Sequence, residues 1–541
     1  MDVYSQIISL AKRRGIFHPS YEIYGGEAGF YDYGPLGALL RHNVQNLWRN
    51  FYVLGEQCLE ISTPVIAPYE VLKASGHVDK FLDVVVTCRK CRSAFKAEEL
   101  SEEQLQALEC PSCRGPLEKG RMNLMFETEI GAVNRREAFL RPETAQGIFV
   151  NFPLLYQYAR RKLPFGVVQV GRGFRNEVSP RQGLYRLREF SMAEAEIFFD
   201  PEDKTHPRFG EVAGDQVNVI PAGGEELRSS VGRLMEEGII NNQALAYYLA
   251  LTQRFLLAAG IDPAKLRFRQ HQREEMAHYA RDCWDAEIHT ALGWIECVGI
   301  ADRTAYDLTA HMQATGADMT AFRAYGEPVK EKRRRIVPDM AKLGPAFKDR
   351  AKDIVEQLER MEPPPEESAL QVTLEGERVM LDPEFFEVVE EEVTVTGKNV
   401  IPHVIEPSYG IDRIIYSILE HNYVEAEKEG ERYVSLRLPP SIAPVTAGVF
   451  PLVSKDGLPQ VALDLDRHLR ERGIMTFYDE AGSIGRRYAR MDEIGTPFCV
   501  TVDHTTLEDD TVTVRFRDTT EQVRVPRHRL AAWIDENIRP Q

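Results

Sequence analysis

Between residues 167 and 199 the chain sets an arginine, carboxylates and an aromatic ring at spacings that suit a charged, ring-bearing ligand. Val167 to Glu177 reads as a strand ending in Phe174-Arg175-Asn176-Glu177. Ser179-Pro180-Arg181-Gln182-Gly183 supplies turn residues, and Glu189 to Phe199 returns as a second strand, so a hairpin is expected. Strand alternation puts Arg175 and Glu177 on one face, and Phe190, Met192, Glu194 and Glu196 on one face of the returning strand. An arginine fork can grip a phosphate, Glu177 can accept from an exocyclic amine, Phe190 can stack on a base, and Glu194 can pair with an ammonium group. Taken alone, the same residues also describe a surface hairpin with salt-bridged charges.

A second constellation lies far along the chain. Ile401 to Arg413 reads as a strand, a turn through Pro407 to Gly410, and a helix running to about Glu420. Arg413 then sits in the first helical turn, where its charge adds to the positive end of the helix dipole and favours triphosphate oxygens. Glu406 and Ser408 lie on its approach. A third is Cys88-Arg89-Lys90-Cys91 with Cys110-Pro111-Ser112-Cys113, two CxxC pairs that suit tetrahedral thiolate ligation of a structural zinc. Disulfides are the competing use of these thiols, but Cys58, Cys283, Cys297 and Cys499 are scattered as in a reduced compartment.

The elements that must position these groups are partly legible. Tyr4 to Arg14 and Pro35 to Tyr52 read as helices, the second with Leu36, Leu39, Leu40, Val44, Leu47 and Phe51 along one stripe. The extended segment from Cys58 to Pro64 suits a sheet edge or an interface. Three stretches look inserted, at about 82–122, 204–265 and 313–392. The last holds Glu362-Pro363-Pro364-Pro365-Glu366-Glu367 and Glu390-Glu391-Glu392, which favour linker or solvated surface. Beyond Arg437-Leu438-Pro439-Pro440, strands at Thr446–Val453, Ile474–Tyr478, Phe498–Val502 and Thr511–Phe516 alternate with helices at about 458–472, 484–494 and 527–538. The expected organisation is a large domain over 1–435 and an α/β domain over 436–541.

A chain of 541 residues exceeds what one core usually organises, and its net charge of -17 argues against indiscriminate polyanion binding. Local patches must carry any such contact. The densest, Lys330 to Arg335, reads either as a solvated helix face or as an RNA-backbone contact. With no long apolar run and no signal-peptide pattern at Met1 to Gly15, a cytoplasmic setting without membrane contact is expected.

Pro64 with its preceding helix, the FRNE segment and Glu406-Pro407-Ser408-Tyr409-Gly410-Ile411-Asp412-Arg413 resemble motifs one, two and three of class II aminoacyl-tRNA synthetases. Gly25 to Pro35, Leu140 to Gly147 and Ser483 to Tyr488 are similar to the corresponding segments of glycyl-tRNA synthetases of the homodimeric type, and the similarity spans nearly the whole chain. The resemblance implies an α+β fold, with an antiparallel-sheet catalytic domain carrying inserted subdomains and a C-terminal α/β anticodon-binding domain. It implies ATP-dependent activation of glycine to the adenylate and transfer to the 3′ end of its tRNA, with magnesium. Arg175 and Arg413 would act on the ATP phosphates. Asn176, Glu177, Arg186, Leu187, Phe190, Glu296 and Cys297 would complete the ATP site, and Glu143, Glu194, Glu406 and Ser408 would hold glycine. Asp412 stands where that family often has glycine. The readings weighed against this one are a non-enzymatic synthetase-like accessory subunit of a DNA polymerase, a synthetase for serine, threonine, proline or histidine, and a zinc-ribbon nucleic-acid module.

Overall fold

The computed structural model describes residues 2–538, except 98–99, 179, 181–182, 277–278, 365–367, 375–376 and 429. Ser179, Arg181 and Gln182 of the expected turn, and residues 365–367 of the acidic proline-rich stretch, therefore lie outside the described residues. Contacts divide the chain into two units, residues 1–319 with 401–541, and residues 320–400.

The larger unit is built on a nine-stranded sheet. In chain order its strands are β1 (Leu59–Glu60), β2 (Phe165–Phe174), β3 (Glu189–Phe199), β4 (Gln216–Ile220), β5 (Leu227–Ser230), β6 (Leu266–Gln270), β7 (Asp282–Thr290), β8 (Gly293–Thr304) and β9 (His403–Gly410). Their spatial order is β5-β4-β6-β7-β8-β9-β3-β2-β1. All neighbours run antiparallel except β4 with β6 and β1 with β2. The stretch at 204–265 thus supplies the edge strand β5 and its neighbour β4.

Three helices are central to the core: α1 (Pro35–Arg49), α2 (Gln243–Ala258) and α3 (Ile411–His421). Gly37, Leu40, Val44, Leu47 and Trp48 are the buried stripe of α1, which opens into a wider π-helical turn at Asn50–Gly55. On α3 the aliphatic residues Ile411, Ile414, Ile415, Ile418 and Leu419 are buried at the spacing of one helix face, and Asp412, Tyr416 and Ser417 are buried beside them. Where these elements meet, the Tyr409 hydroxyl on β9 lies 2.8 Å from both the Tyr52 and the Thr252 hydroxyls, so the buried polar atoms are partnered.

Three expectations are corrected. The strand carrying FRNE ends at Phe174, leaving Arg175 to Glu177 beyond the ladder. The segment Pro407 to Gly410 is no turn: β9 runs straight to Gly410, which caps α3. Lys330 to Arg335 lies on a strand, not a helix face, because it belongs to Ala321–Pro338, paired antiparallel with Phe386–Val400.

That pair forms the stalk of the 320–400 unit. Its basic run faces the Glu390–Glu392 run across the ladder, with Lys330–Glu392, Lys332–Glu390 and Arg335–Glu391 pairs each at 2.9 Å. The unit has its own core, in which Ile336, Leu343, Ile354, Leu358, Val372 and Leu381 are buried.

Within the larger unit the cysteines sit on a small three-stranded sheet, Leu82–Cys88 flanked by Ala94–Lys96 and Leu117–Asn123. The C-terminal region forms a five-stranded sheet with a separate apolar core. Its strands Phe498–Val502 and Thr511–Phe516 fall where expected. A further strand, Gln522–Pro526, and a short helix, His504–Asp509, were not foreseen.

Candidate active site

Strands β3, β8 and β9 lie side by side, and their shared face carries the acidic residues. Glu194 on β3 is opposite Ser408 on β9, and Ala301 on β8 is opposite Glu406. Glu194 accepts at both oxygens: Thr144 donates to it from its backbone N–H at 2.6 Å and from its hydroxyl, and Ser408 Oγ donates at 2.7 Å. Gln146 donates to Glu143 at 3.0 Å and to Asp307 at 2.9 Å.

Arg303, 1% exposed, holds the cluster together. It donates to both oxygens of Glu406 at 3.0 and 2.9 Å and to both of Asp307 at 2.8 and 2.9 Å, and its guanidinium lies 3.8 Å from the Tyr279 ring. Such forked pairs are the strong ones. Glu196 is also buried, with neither carboxylate oxygen hydrogen-bonded.

Carboxylates outnumber the guanidinium, and this shapes their protonation. Burial and then the neighbouring Glu406 push Glu196 well up, and burial with Glu143 pushes Glu194 up. Burial outweighs Arg303 at Glu406 and, with Glu194 and Glu143, pushes it up to about 7. At Glu143 burial acts upward, but the His77 ring 3.4 Å away and Arg303 prevail and hold its carboxyl below the ordinary range.

Beside it opens a cavity of about 280 Å³. Arg175, Glu177, Arg186, Leu187, Phe190, Glu296, Cys297 and Arg413 line it, together with Glu143, Glu194, Glu406 and Ser408. Asn176 does not; its backbone N–H donates instead to Leu124 O at 2.7 Å. The Arg175 guanidinium stands between the Phe81 and Phe190 rings at 5.3 and 5.4 Å. Arg413, in the first turn of α3, is aimed by donation to Tyr185 O at 3.0 Å and Glu296 O at 2.6 Å.

Two glycines make the hairpin possible. A Cβ on Gly171 would collide with the Arg141 guanidinium, which crosses β2 to reach the Arg172 and Thr63 carbonyls. Gly29 has a φ of +80°, and a Cβ there would lie 2.6 Å from Pro180. Its carbonyl accepts from the Arg188 N–H at 2.9 Å, so the Gly25–Gly29 loop braces the returning chain.

Sequence reasoning missed Arg303, Asp307, His77 and Gln146, and put Glu196 on the right face without giving it work. Spacing could have flagged Glu196, two residues from Glu194 on one strand face. Asp412, noted in the sequence only as standing where the family often has glycine, is buried and accepts from the Tyr33 hydroxyl and the Ser191 N–H, each at 2.5 Å, pinning α3 to β3. Cys297 is buried against Ser417, and burial pushes its thiol up to about 12, so it is packing at neutral pH. His271, Cys283 and Asp285 converge on the cavity wall. Asp285 is already engaged by Arg269 at 3.0 Å and His271 at 2.8 Å, and burial pushes the Cys283 thiol well up, so they serve as wall.

The four cysteines do converge. Cys88 and Cys113 sulfurs lie 3.5 Å apart, Cys91 and Cys110 3.7 Å, and all four are mutually within 4.8 Å. Tetrahedral zinc with bonds near 2.3 Å requires sulfurs roughly 3.8 Å apart, so the donor set fits that ion.

Residues 126–213 match the tRNA synthetase class II core domain (G, H, P, S and T), and residues 446–537 match the anticodon binding domain. The fold is similar to that of Giardia lamblia prolyl-tRNA synthetase in complex with prolyl-adenylate (TM-score 0.55, 14% identity, 98% of this chain and 75% of that one). It is also similar to a Cryptosporidium parvum threonyl-tRNA synthetase structure (TM-score 0.53, 18% identity, 99% of both chains). The fold is that of a class II aminoacyl-tRNA synthetase core with an anticodon-binding domain. Relatives described as glycine–tRNA ligases are 48% identical in Methanothrix thermoacetophila (97% of this chain, 95% of the relative) and 48% in Archaeoglobus fulgidus (99% and 97%). In Methanocaldococcus jannaschii the figure is 47%, over 99% of each chain. The chain belongs to the glycine–tRNA ligase family.

Proposed function

We propose that the chain activates glycine with ATP on the shared face of β3, β8 and β9 and passes the glycyl group to the 3′ end of tRNA. The observation that carries the reading is the carboxylate cluster at the end of the nucleotide-sized cavity. Glycine offers only an ammonium group, a carboxylate and two hydrogens, so its site must hold a cation closely and leave no room for a methyl group. Glu143, Glu194 and Glu406, with Ser408 beside them, take the ammonium. Glu196, buried without a partner, gives the cluster a further acid.

Arg175, flanked by its two rings, grips the α-phosphate. Phe190 and Arg413 enclose the adenine and the terminal phosphates, Glu177 accepts from the adenine amine, and Arg186 and Leu187 complete the wall. The glycine carboxylate attacks the α-phosphate in line, and pyrophosphate leaves. Arg175 offsets the charge that gathers on the phosphorus oxygens, and no protein nucleophile is involved. Glu296, facing the cavity beside Arg413, offers an oxygen donor for the magnesium that accompanies ATP. When bound, that ion neutralises phosphate charge.

The cysteine cluster holds a structural zinc, with no open ligand position for catalysis. The 436–541 region reads the tRNA anticodon. The chain works as a homodimer, a reading supported by large apolar side chains left exposed, among them Leu54, Ile66, Leu154 and Tyr158. Among the described residues no helix is long and apolar enough to cross a membrane.

Amino-acid-dependent pyrophosphate exchange across the twenty substrates tests the core of this reading. Exchange with glycine alone is expected, and exchange driven by serine, threonine or proline in its place would overturn it.

A further inference from the structure

The three residues that leave the end of β2 have lost their ladder, yet two of them, Arg175 and Glu177, line the cavity. Each is touched by the cysteine module. Arg175 packs its guanidinium 5.3 Å from the ring of Phe81, the residue by which the chain enters the module's sheet. Asn176 donates its backbone N–H at 2.7 Å to the carbonyl of Leu124, the residue by which the chain leaves it. Glu177 Oε2 lies 3.1 Å from the ammonium of Lys96, which sits inside the module at the end of its strand Ala94–Lys96. Lys96 is itself held 2.7 Å from Asp83 on the neighbouring strand, and both the Lys96 and Glu177 side chains are only 11% exposed.

Entry, interior and exit of one small sheet thus meet three consecutive residues, the outer two of which, Arg175 and Glu177, form the clamp. That sheet closes on the four cysteines, where Cys88 ends the central strand and stands opposite Leu117 in the register. A core of so few apolar side chains is marginal without a staple, and metal ligation is the staple its thiols fit.

We propose that the cysteine module is a positioning element for the nucleotide clamp, with Lys96 as the residue that orients Glu177 for the adenine amine. This rests on the reading of Glu177 given above. A carboxylate fixed by an ion pair at one oxygen presents the other in a defined direction, and a buried carboxylate that loses its cation is left uncompensated. The module then governs affinity for ATP and not for glycine, and the zinc acts on nucleotide binding through Lys96.

The test measures nucleotide binding to the full-length protein by calorimetry, with ATP and with purine riboside triphosphate, which lacks the 6-amino group. Lys96→Met is expected to weaken ATP binding about tenfold while leaving the purine analogue and the KM for glycine unchanged, and Lys96→Arg is expected to restore most of the loss. Removing the metal, by chelation or through Cys113→Ser, should weaken ATP binding to a similar degree, with Lys96→Met adding little to that protein. Equal weakening of both nucleotides, or unchanged ATP affinity in a folded Lys96→Met, overturns the proposal. Glu177→Ala separates the two readings. If it leaves the preference for ATP over the analogue intact, the adenine contact itself is wrong; if it abolishes that preference while Lys96→Met does not, only the role of Lys96 fails.

Discussion

Arg175 is expected to be needed for chemistry and dispensable for folding, since its guanidinium stands between two rings at the cavity wall. Arg175→Ala should nearly abolish glycine-dependent pyrophosphate exchange while leaving the circular dichroism spectrum and thermal midpoint of the wild type. Arg303 is its opposite. Replacing it by Ala would strand Glu406 and Asp307 in the interior and should cost about 3–5 kcal/mol of stability, read by denaturant titration. Glu406 gives a pH signature. Burial pushes its carboxyl up to about 7 in the folded chain from an ordinary 4.5, so the native state holds this proton more tightly than the unfolded chain. The group's stabilising contribution is present at acid pH and is lost as pH rises from about 4.5 through 7. Binding runs the other way, because the ionised form pairs with the ammonium. The KM for glycine should fall as pH is raised from about 6 to 8, and Glu406→Gln should flatten that profile.

At the scale of elements, the bracing loop makes its own prediction. Gly29→Ala forces a side chain into a left-handed backbone and against Pro180, and should cost about 1–2 kcal/mol and raise the KM for ATP, measured by thermal unfolding and by exchange at varied ATP. The elements also show what the sequence could tell. Phe190, Glu194, Glu406 and Arg413 were legible because alternation and helix-start chemistry fix their directions, and the cavity brings them together as expected. Arg303 was not, because an arginine in an otherwise ordinary strand gives no sign of being buried; its partners lie four and a hundred residues away. The run Lys330 to Arg335 has no alternation of apolar and polar residues, so its period could not be read, and only its match to Glu390–Glu392 across the ladder reveals a strand. Arg175 to Glu177 looked like strand because the residues before them are, whereas tertiary contacts take over where the ladder stops.

For the whole molecule, the 320–400 unit enters and leaves at paired residues, Ala321 opposite Val400. Its two ends therefore stand a strand spacing apart, about 5 Å. Replacing 320–400 by a short glycine-serine linker should preserve glycine-dependent pyrophosphate exchange, and loss of exchange in a folded protein would show that the unit contributes to activation.

The same closure bears on how the chain finds its fold. Strand β8 must pair with β9 across roughly a hundred intervening residues, an entropically costly loop. If the stalk forms first, the open chain between these strands shrinks to under twenty residues, which lowers the loop-closure cost by about 1.5 kcal/mol. The insertion then acts as a splint during folding, shortening the effective separation of the two strands that carry Arg303 and Glu406. The deletion variant shares that short path, so it should refold at least as fast as the full chain, whereas a linker of eighty unstructured residues in the same place should slow refolding.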